Sequence, residues 1–221
     1  MQVGIVGGTG PAGQALAARL AASGIPVTLG SRSAERAGEI TAELRGRWPD
    51  HDLPVTPAAN EGAAEAEIVV VATPWDAAVP TAAALAEPLA DKVVVSMANA
   101  LARIGDEFEA LVPGRGSIAA AVQAALPRSQ VAGAFHHLPA RSLGRIDRVL
   151  KADVLVAADH PAARSVTIAL VESMPGLRGV AAGSLATCAA IEAFTAVLLN
   201  VNVSHRAHAA VRLTGLPERD R

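Results

Sequence analysis

A chain of 221 residues with a formal net charge of −2 has room for one large domain, or a main domain with a small appendage, and lacks the basic excess that nucleic-acid binding requires. Its one cysteine, Cys188, excludes an internal disulfide and a cysteine-based metal site, and fits a reducing cytosol. Aromatic residues make up 2% and tyrosine is absent, so the core must be built of Ala, Val, Leu and Ile, and a flat ligand finds few rings to stack on.

Residues 2–6 are a short apolar run rich in β-branched side chains, as in a strand buried in a parallel sheet. It starts so early that no signal or transit peptide is expected before it. Gly8-Thr9-Gly10-Pro11-Ala12-Gly13 follows without a spacer and matches G-x-G-x-x-G. Gly8 permits the tight turn, Gly10 lets the backbone approach a pyrophosphate, and Gly13 allows close packing of the next helix. That helix is predicted over 11–23, with Pro11 in its first turn and Gly24 ending it. Its free N–H groups and dipole would face the pyrophosphate. The second strand, 26–29, runs into Gly30-Ser31-Arg32, with Arg36 one helical turn further on. An NAD site usually carries Asp or Glu there, to hold the ribose hydroxyls. An acid would repel a 2′-phosphate, whereas a guanidinium can clasp one with two charge-assisted hydrogen bonds. The expected cofactor is therefore NADP, its 2′-phosphate beside Ser31 and Arg32.

Helix 34–47 is broken by Trp48-Pro49-Asp50-His51-Asp52. A short strand at 55–56, a helix at 60–65 and an apolar strand at 68–72 lead to Thr73-Pro74-Trp75. Helix 77–89, strand 92–96, a loop at 96–104 and helix 117–125 precede a sixth strand at 130–135, which ends in His136-His137-Leu138-Pro139-Ala140. The alternation continues with strand 153–158, helix 161–173, strand 177–181 and a long apolar helix at 184–205. Residues 217–221 are charged and read as a frayed end. Alternating β and α argues an α/β, doubly wound, mostly parallel Rossmann sheet with helices on both faces. The expected division is an NADP-binding domain, 1–149, and a small C-terminal α/β domain, 150–221. Glu192, Asn200 and Asn202 interrupt the apolar stretch 184–203, so a buried helix is expected there rather than a membrane span.

No cluster of Cys, His, Asp or Glu at ligand spacing accompanies His136-His137, which argues against a metal. The pair reads as a polar wall or core feature in preference to a proton relay. A carboxylate such as Glu192 in an apolar helix is more often paired or solvent-facing than functional. No catalytic acid or base is expected.

Four segments together resemble the F-420-dependent NADP reductases (NADPH:coenzyme F-420 oxidoreductases) in order and spacing. They are the turn from Gly7 to Gly13, Gly30-Ser31-Arg32, Thr73-Pro74-Trp75, and His136 to Ala140. The stretch 191–200 is similar to that family's late helix as well. The resemblance implies reversible hydride transfer between C4 of nicotinamide and C5 of a deazaflavin, in a cytoplasmic homodimer with small-molecule co-substrates. It implies that Thr9, Gly10, Pro11, Ala12, Ser31, Arg32 and Arg36 hold the NADP phosphates and ribose. Thr73, Pro74 and Ala140 would lie along the nicotinamide half, and His136 and Leu138 beside coenzyme F-420. Asn99 and Leu101 complete the set, from a loop that departs from the family pattern. Two other readings stay open. One is another NADP-dependent reductase of the imine or β-hydroxyacid kind, though only about 70 residues follow the nucleotide domain. The other is a non-catalytic NADP-sensing or redox-partner domain.

Overall fold

In the computed structural model, which describes residues 1–216, strand β1 (Val3–Val6) is buried along its whole length. It lies between β2 (Val27–Ser31) and β4 (Ile68–Val71), parallel to both. β3 (Val55–Ala59) adds beyond β2. On the other side β4 is followed by β5 (Val93–Ser96), β8 (Gln130–Gly133), β9 (Ala152–Ala158) and β10 (Leu177–Ala181). All eight form one sheet in the order β10-β9-β8-β5-β4-β1-β2-β3. Every pairing is parallel except β8 with β9. Central strands of a parallel sheet are covered on both faces, which is why β1 and β4 are continuous apolar runs.

Alternate strand residues feed two cores. Val3 and Ile5 pack with α1 (Pro11–Ala22), α2 (Ala34–Arg47) and α7 (Pro161–Glu172). Val6, Val69 and Val71 pack with α3 (Asn60–Ala64), α4 (Trp75–Ala84), α5 (Ile118–Ala125) and the start of α8 (Cys188–His205). A short helix, α6 (Ala140–Leu143), lies against α1. The sheet crosses residue 149 without a break, and the first half of β9 is flanked by the C-terminal stretch, with Asp153 N donating to Val211 O at 2.8 Å.

Several elements differ from their sequence outline. The strand expected at 55–56 has five residues and includes Pro57, which an edge strand tolerates because its N–H side need not pair. The helix expected at 77–89 is shorter and begins earlier: Pro74 caps it and Pro80 lies inside it. The strand expected to reach 135 ends at Gly133, and Phe135 adopts a left-handed φ of 67°. The loop 96–104 contains half of a hairpin, β6 (Leu101–Ile104) with β7 (Glu107–Ala110), closed by Gly105-Asp106 with Gly105 at φ 61°. The helix expected at 184–205 opens as a 3-10 turn at Leu185–Thr187, and α8 is buried on one face only. Cys188, Ile191, Glu192, Thr195 and Ala196 point inward, while Phe194, Val197, Val201 and Val203 are exposed. This helix is long and apolar enough to cross a membrane by length and composition. The frayed end expected at 217–221 lies outside the described residues.

Candidate functional site

The chain leaves β1 for β2 on one side and later crosses to β4 on the other. The switch point is therefore the crevice above β1 and β4, at the carboxyl ends of the strands, where open α/β sheets bind ligands. The glycine turn sits there. Gly8 N donates to Gly30 O at 2.8 Å and Gly7 N to Asn60 Oδ1 at 3.0 Å, pinning the turn to β2 and α3. A Cβ on Gly13 would lie 2.6 Å from both Cα and O of Gly8, so the helix start packs directly on the turn. A Cβ on Gly10 would meet nothing within 4 Å. Space above the turn is thus open where a pyrophosphate must approach. Gly10 caps α1 without a side-chain hydrogen bond, so the first-turn N–H groups remain for a ligand. The arrangement fits a dinucleotide.

Gly30 carries a finding the sequence did not show. A Cβ there would lie 2.7 Å from Ala63 Cβ and 3.1 Å from Asn60 Oδ1. The missing acid has a packing cause of its own, so the case for NADP rests on the residues that follow. Ser31 is buried at the strand end and Arg32 is exposed. Arg32 lines a cleft of about 360 Å³ with Asn60, Glu61 and residues of α4. Arg36 pairs with Glu39 at 2.7 Å on the exposed start of α2, and Ser33 caps that helix. Thr9 O accepts from Gln14 Nε2 at 2.7 Å, while Pro11 and Ala12 open α1.

Across the crevice, Thr73 Cγ2 would lie 2.3 Å from a Cβ on Gly7, so this glycine lets β1 and the end of β4 close together. Thr73 Oγ1 is buried without a partner and Pro74 caps α4. A second cleft, about 350 Å³, is lined by His136, Leu138, Ala140, Thr195, Leu198 and other residues of α8 and its surroundings. It brings three of the sequence-derived residues together. Asn99 braces it from behind: Nδ2 donates to His136 O at 3.0 Å, and Oδ1 accepts from Thr195 Oγ1 at 3.1 Å. Leu101 sits on β6 opposite Ala110, half buried.

The histidines differ. His137 Nε2 lies 2.9 Å from Asp153 O, which ties the segment to β9; burial holds its pKa below the ordinary value. His136 is buried, and neither ring nitrogen has a hydrogen-bond partner. Burial and the neighbouring His137 push its pKa down to about 3, so the ring is neutral. Glu192 lies 3.8 Å away, Oε1 to Nε2. Its carboxyl accepts from Ile118 N at 2.8 Å and Ala119 N at 3.0 Å at the start of α5, yet burial still pushes its pKa up to about 7. Sequence reasoning also missed Thr195 and Arg19. An arginine set within the otherwise apolar run 15–22 was the available signal for the second.

Residues 2–100 match the family described as NADP oxidoreductase, coenzyme F-420-dependent. The F-420-dependent NADP reductase of Methanothermobacter thermautotrophicus is 34% identical over 229 aligned positions, covering 100% of this chain and 97% of its own. A solved structure from an Arthrobacter species, provisionally assigned as an F-420-dependent NADP reductase, superposes with a TM-score of 0.79 at 24% identity. The match covers 94% of this chain and 96% of that one. A Streptomyces aurantiacus imine reductase superposes with a TM-score of 0.60 at 23% identity; 90% of this chain matches only 62% of that longer one. The two structural likenesses speak for the fold alone.

Proposed function

The chain belongs to the F-420-dependent NADP reductase family, and from that premise we propose that it catalyses reversible, direct hydride transfer between C4 of NADPH and C5 of the deazaflavin coenzyme F-420. The observation that carries the reading is the juxtaposition, beyond the carboxyl ends of the strands, of a glycine turn open above Gly10 and a cleft bordered by His136, Leu138 and Ala140, with Pro11 and Ala140 lining one further cleft between them.

In this reading Thr9, Gly10, Pro11 and Ala12 hold the pyrophosphate, and Ser31, Arg32 and Arg36 the 2′-phosphate and ribose. Arg36 exchanges its Glu39 partner for the phosphate. Thr73, Pro74 and Ala140 flank the nicotinamide, with Thr73 Oγ1 as a donor that lacks a protein acceptor. His136 and Leu138 border the deazaflavin, and Asn99 acts through the backbone of His136. Leu101 closes the set from β6. Hydride transfer demands alignment of two carbons at roughly 3–3.5 Å with water excluded, and small apolar walls suffice for that.

Residues 150–221 serve as the smaller domain, contributing α8 to the deazaflavin cleft. The exposed Phe194, Val197 and Val201 fall at helical spacing on the outer face of α8, and a second copy of the chain covers them in a homodimer. The single buried thiol suits a cytoplasmic enzyme that works on small molecules, away from membranes and nucleic acid. Mixing purified protein, NADPH and F-420 should bleach the oxidised deazaflavin absorbance. Tight NADPH binding without bleaching would instead favour the non-catalytic sensing domain.

A further inference from the structure

We propose that the cleft between α1, the end of α2 and α6 is an anion track that holds the acidic tail of coenzyme F-420. The inference rests on the F-420 reductase reading above and deepens it, because it assigns residues to the part of the co-substrate beyond the rings.

This cleft has a volume of about 390 Å³, within the range of ligand clefts. Pro11, Gln14, Ala15 and Ala18 form its α1 side. They stand at i, i+3, i+4 and i+7, so they make one stripe, roughly 10 Å long at ~1.5 Å per residue. Arg47 and Trp48 close the far end, where α2 stops. Ala140, Arg141, Gly144 and Arg145 form the opposite side. That side lies close to α1, since a Cβ on Gly144 would be 3.3 Å from Ala15 Cβ. Ala140 and Arg141 also line the cleft assigned to the deazaflavin. The two clefts therefore meet at these residues, and a chain that leaves the rings there finds a groove leading along α1.

The charge of the groove is one-sided. Arg47, Arg141 and Arg145 line it and no acidic residue does, in a chain whose formal net charge is −2. Arg145 is held by Asp147, with Nε to Oδ1 at 3.0 Å and Nη2 to Oδ2 at 2.9 Å. Arg47 and Arg141 are exposed, and neither forms an ion pair among the described residues. One stands beside the deazaflavin cleft and the other at the far end of the groove. Each can grip a phosphate or a carboxylate with two N–H groups. The nucleotide has no claim on them in the reading above. Its pyrophosphate belongs over Gly10, and its 2′-phosphate lies with Arg32 in a separate cleft lined by Asn60, Glu61 and α4.

Coenzyme F-420 has the matching chemistry. Its ring system carries a ribityl chain, then a phosphodiester, a lactyl unit and glutamates, so a line of negative charges trails from one end of the rings. In the track Arg141 meets the phosphodiester as the tail leaves the deazaflavin cleft, and Arg47 meets a glutamate carboxylate further on. The small side chains of Ala15 and Ala18 leave the floor between them clear. His208, exposed on the C-terminal segment, lines the deazaflavin cleft but not the groove, so it is no part of the track.

The test uses the full chain and two deazaflavins: F-420 with its whole tail, and the same ring system ending at the ribityl alcohol. Quenching of deazaflavin fluorescence gives a dissociation constant for each without turnover, and steady-state rates with NADPH give a KM for each. Wild type should bind the tailed form about tenfold or more tightly than the tail-less one. Exposed ion pairs are individually modest, so Arg47→Gln and Arg141→Gln should each weaken the tailed form by about two- to fivefold. The double variant should lose about tenfold, which brings the ratio of the two constants close to one. High salt should shrink the wild-type ratio in the same way. If Arg141→Gln disturbs the deazaflavin cleft itself, both forms weaken together, and Arg47→Gln at the far end decides. A wild type that binds both forms equally, or an Arg47→Gln variant that keeps the wild-type ratio, overturns the track and leaves the reductase reading intact. A wild type that binds NADPH but reduces neither deazaflavin overturns both.

Discussion

Replacing Arg19 by Met tests how the site wall is held. Arg19 lies on α1 and is only 4% exposed, and its hydrogen bonds go to backbone carbonyls. Nε donates to Leu143 O at 2.9 Å, Nη1 to Arg148 O at 2.8 Å, and Nη2 to Ser142 O at 3.1 Å and Arg145 O at 2.8 Å. One guanidinium thus ties α1 to the backbone at 142–148, directly after Ala140 and Arg141, which line the second cleft. Burial lowers its pKa and nearby Asp147 only partly opposes this, but a guanidinium keeps its charge. Methionine keeps most of the apolar stem and removes every donor. Each lost hydrogen bond costs roughly 1 kcal/mol, so four put the destabilisation near ~4 kcal/mol. That is a large share of a typical ~5–15 kcal/mol. Urea unfolding should show a lower midpoint at unchanged slope. Because Ala140 would then be held loosely, kcat/KM for F-420 should fall by about tenfold or more. A loss under about 1 kcal/mol with unchanged kinetics would refute the reasoning.

Arg32→Ala should raise the NADPH Michaelis constant about tenfold and barely move that for NADH; equal losses for both would remove Arg32 from the 2′-phosphate. Gly13→Ala forces a Cβ to within 2.6 Å of Gly8, so calorimetric titration should show NADPH affinity falling by tenfold or more, and native affinity would contradict the packing argument. The pH dependence of stability follows from the buried pair. Glu192, raised from 4.5 to about 7, makes stability fall as pH rises across that window; His136, lowered from 6.5 to about 3, makes it rise. Their contributions oppose between pH 4.5 and 6.5. His136→Asn should therefore make stability fall with pH there relative to wild type, by about 1.4 kcal/mol per pH unit at most. A variant that tracks the wild-type profile would exclude the assigned states.

The Rossmann half was legible because its signals are local. The strand, glycine turn and helix stand in immediate succession, and the burial of β1 and β4 follows from runs of β-branched residues. The hairpin of β6 and β7 was hidden because its strands are four residues each and none of them is buried, with alternation too weak to stand out from a loop. Gly105-Asp106 was its one strong cue. Pro57 masked β3, since its tolerance depends on an edge position that only the sheet order reveals. Gly30 was read as a nucleotide selector although its contacts with Ala63 and Asn60 already forbid a side chain. The pairing of Glu192 with His136 joins residues 56 apart, and no spacing rule points to it. It arises because α8 returns across the end of β8, which is a fact of topology. The same return leaves the outer face of α8 uncovered in one chain, whereas sequence alone argued for a buried helix.

The path of one hydrogen tests direct transfer between the two rings. NADPH carrying deuterium on one face of C4 should be mixed with the enzyme and oxidised F-420 in ordinary water, and the reduced deazaflavin examined by mass and proton resonance. Direct transfer predicts the label at C5, from one face of the nicotinamide, undiluted by solvent. Loss of the label to water, or its appearance from both faces alike, would contradict direct transfer between the two bound rings.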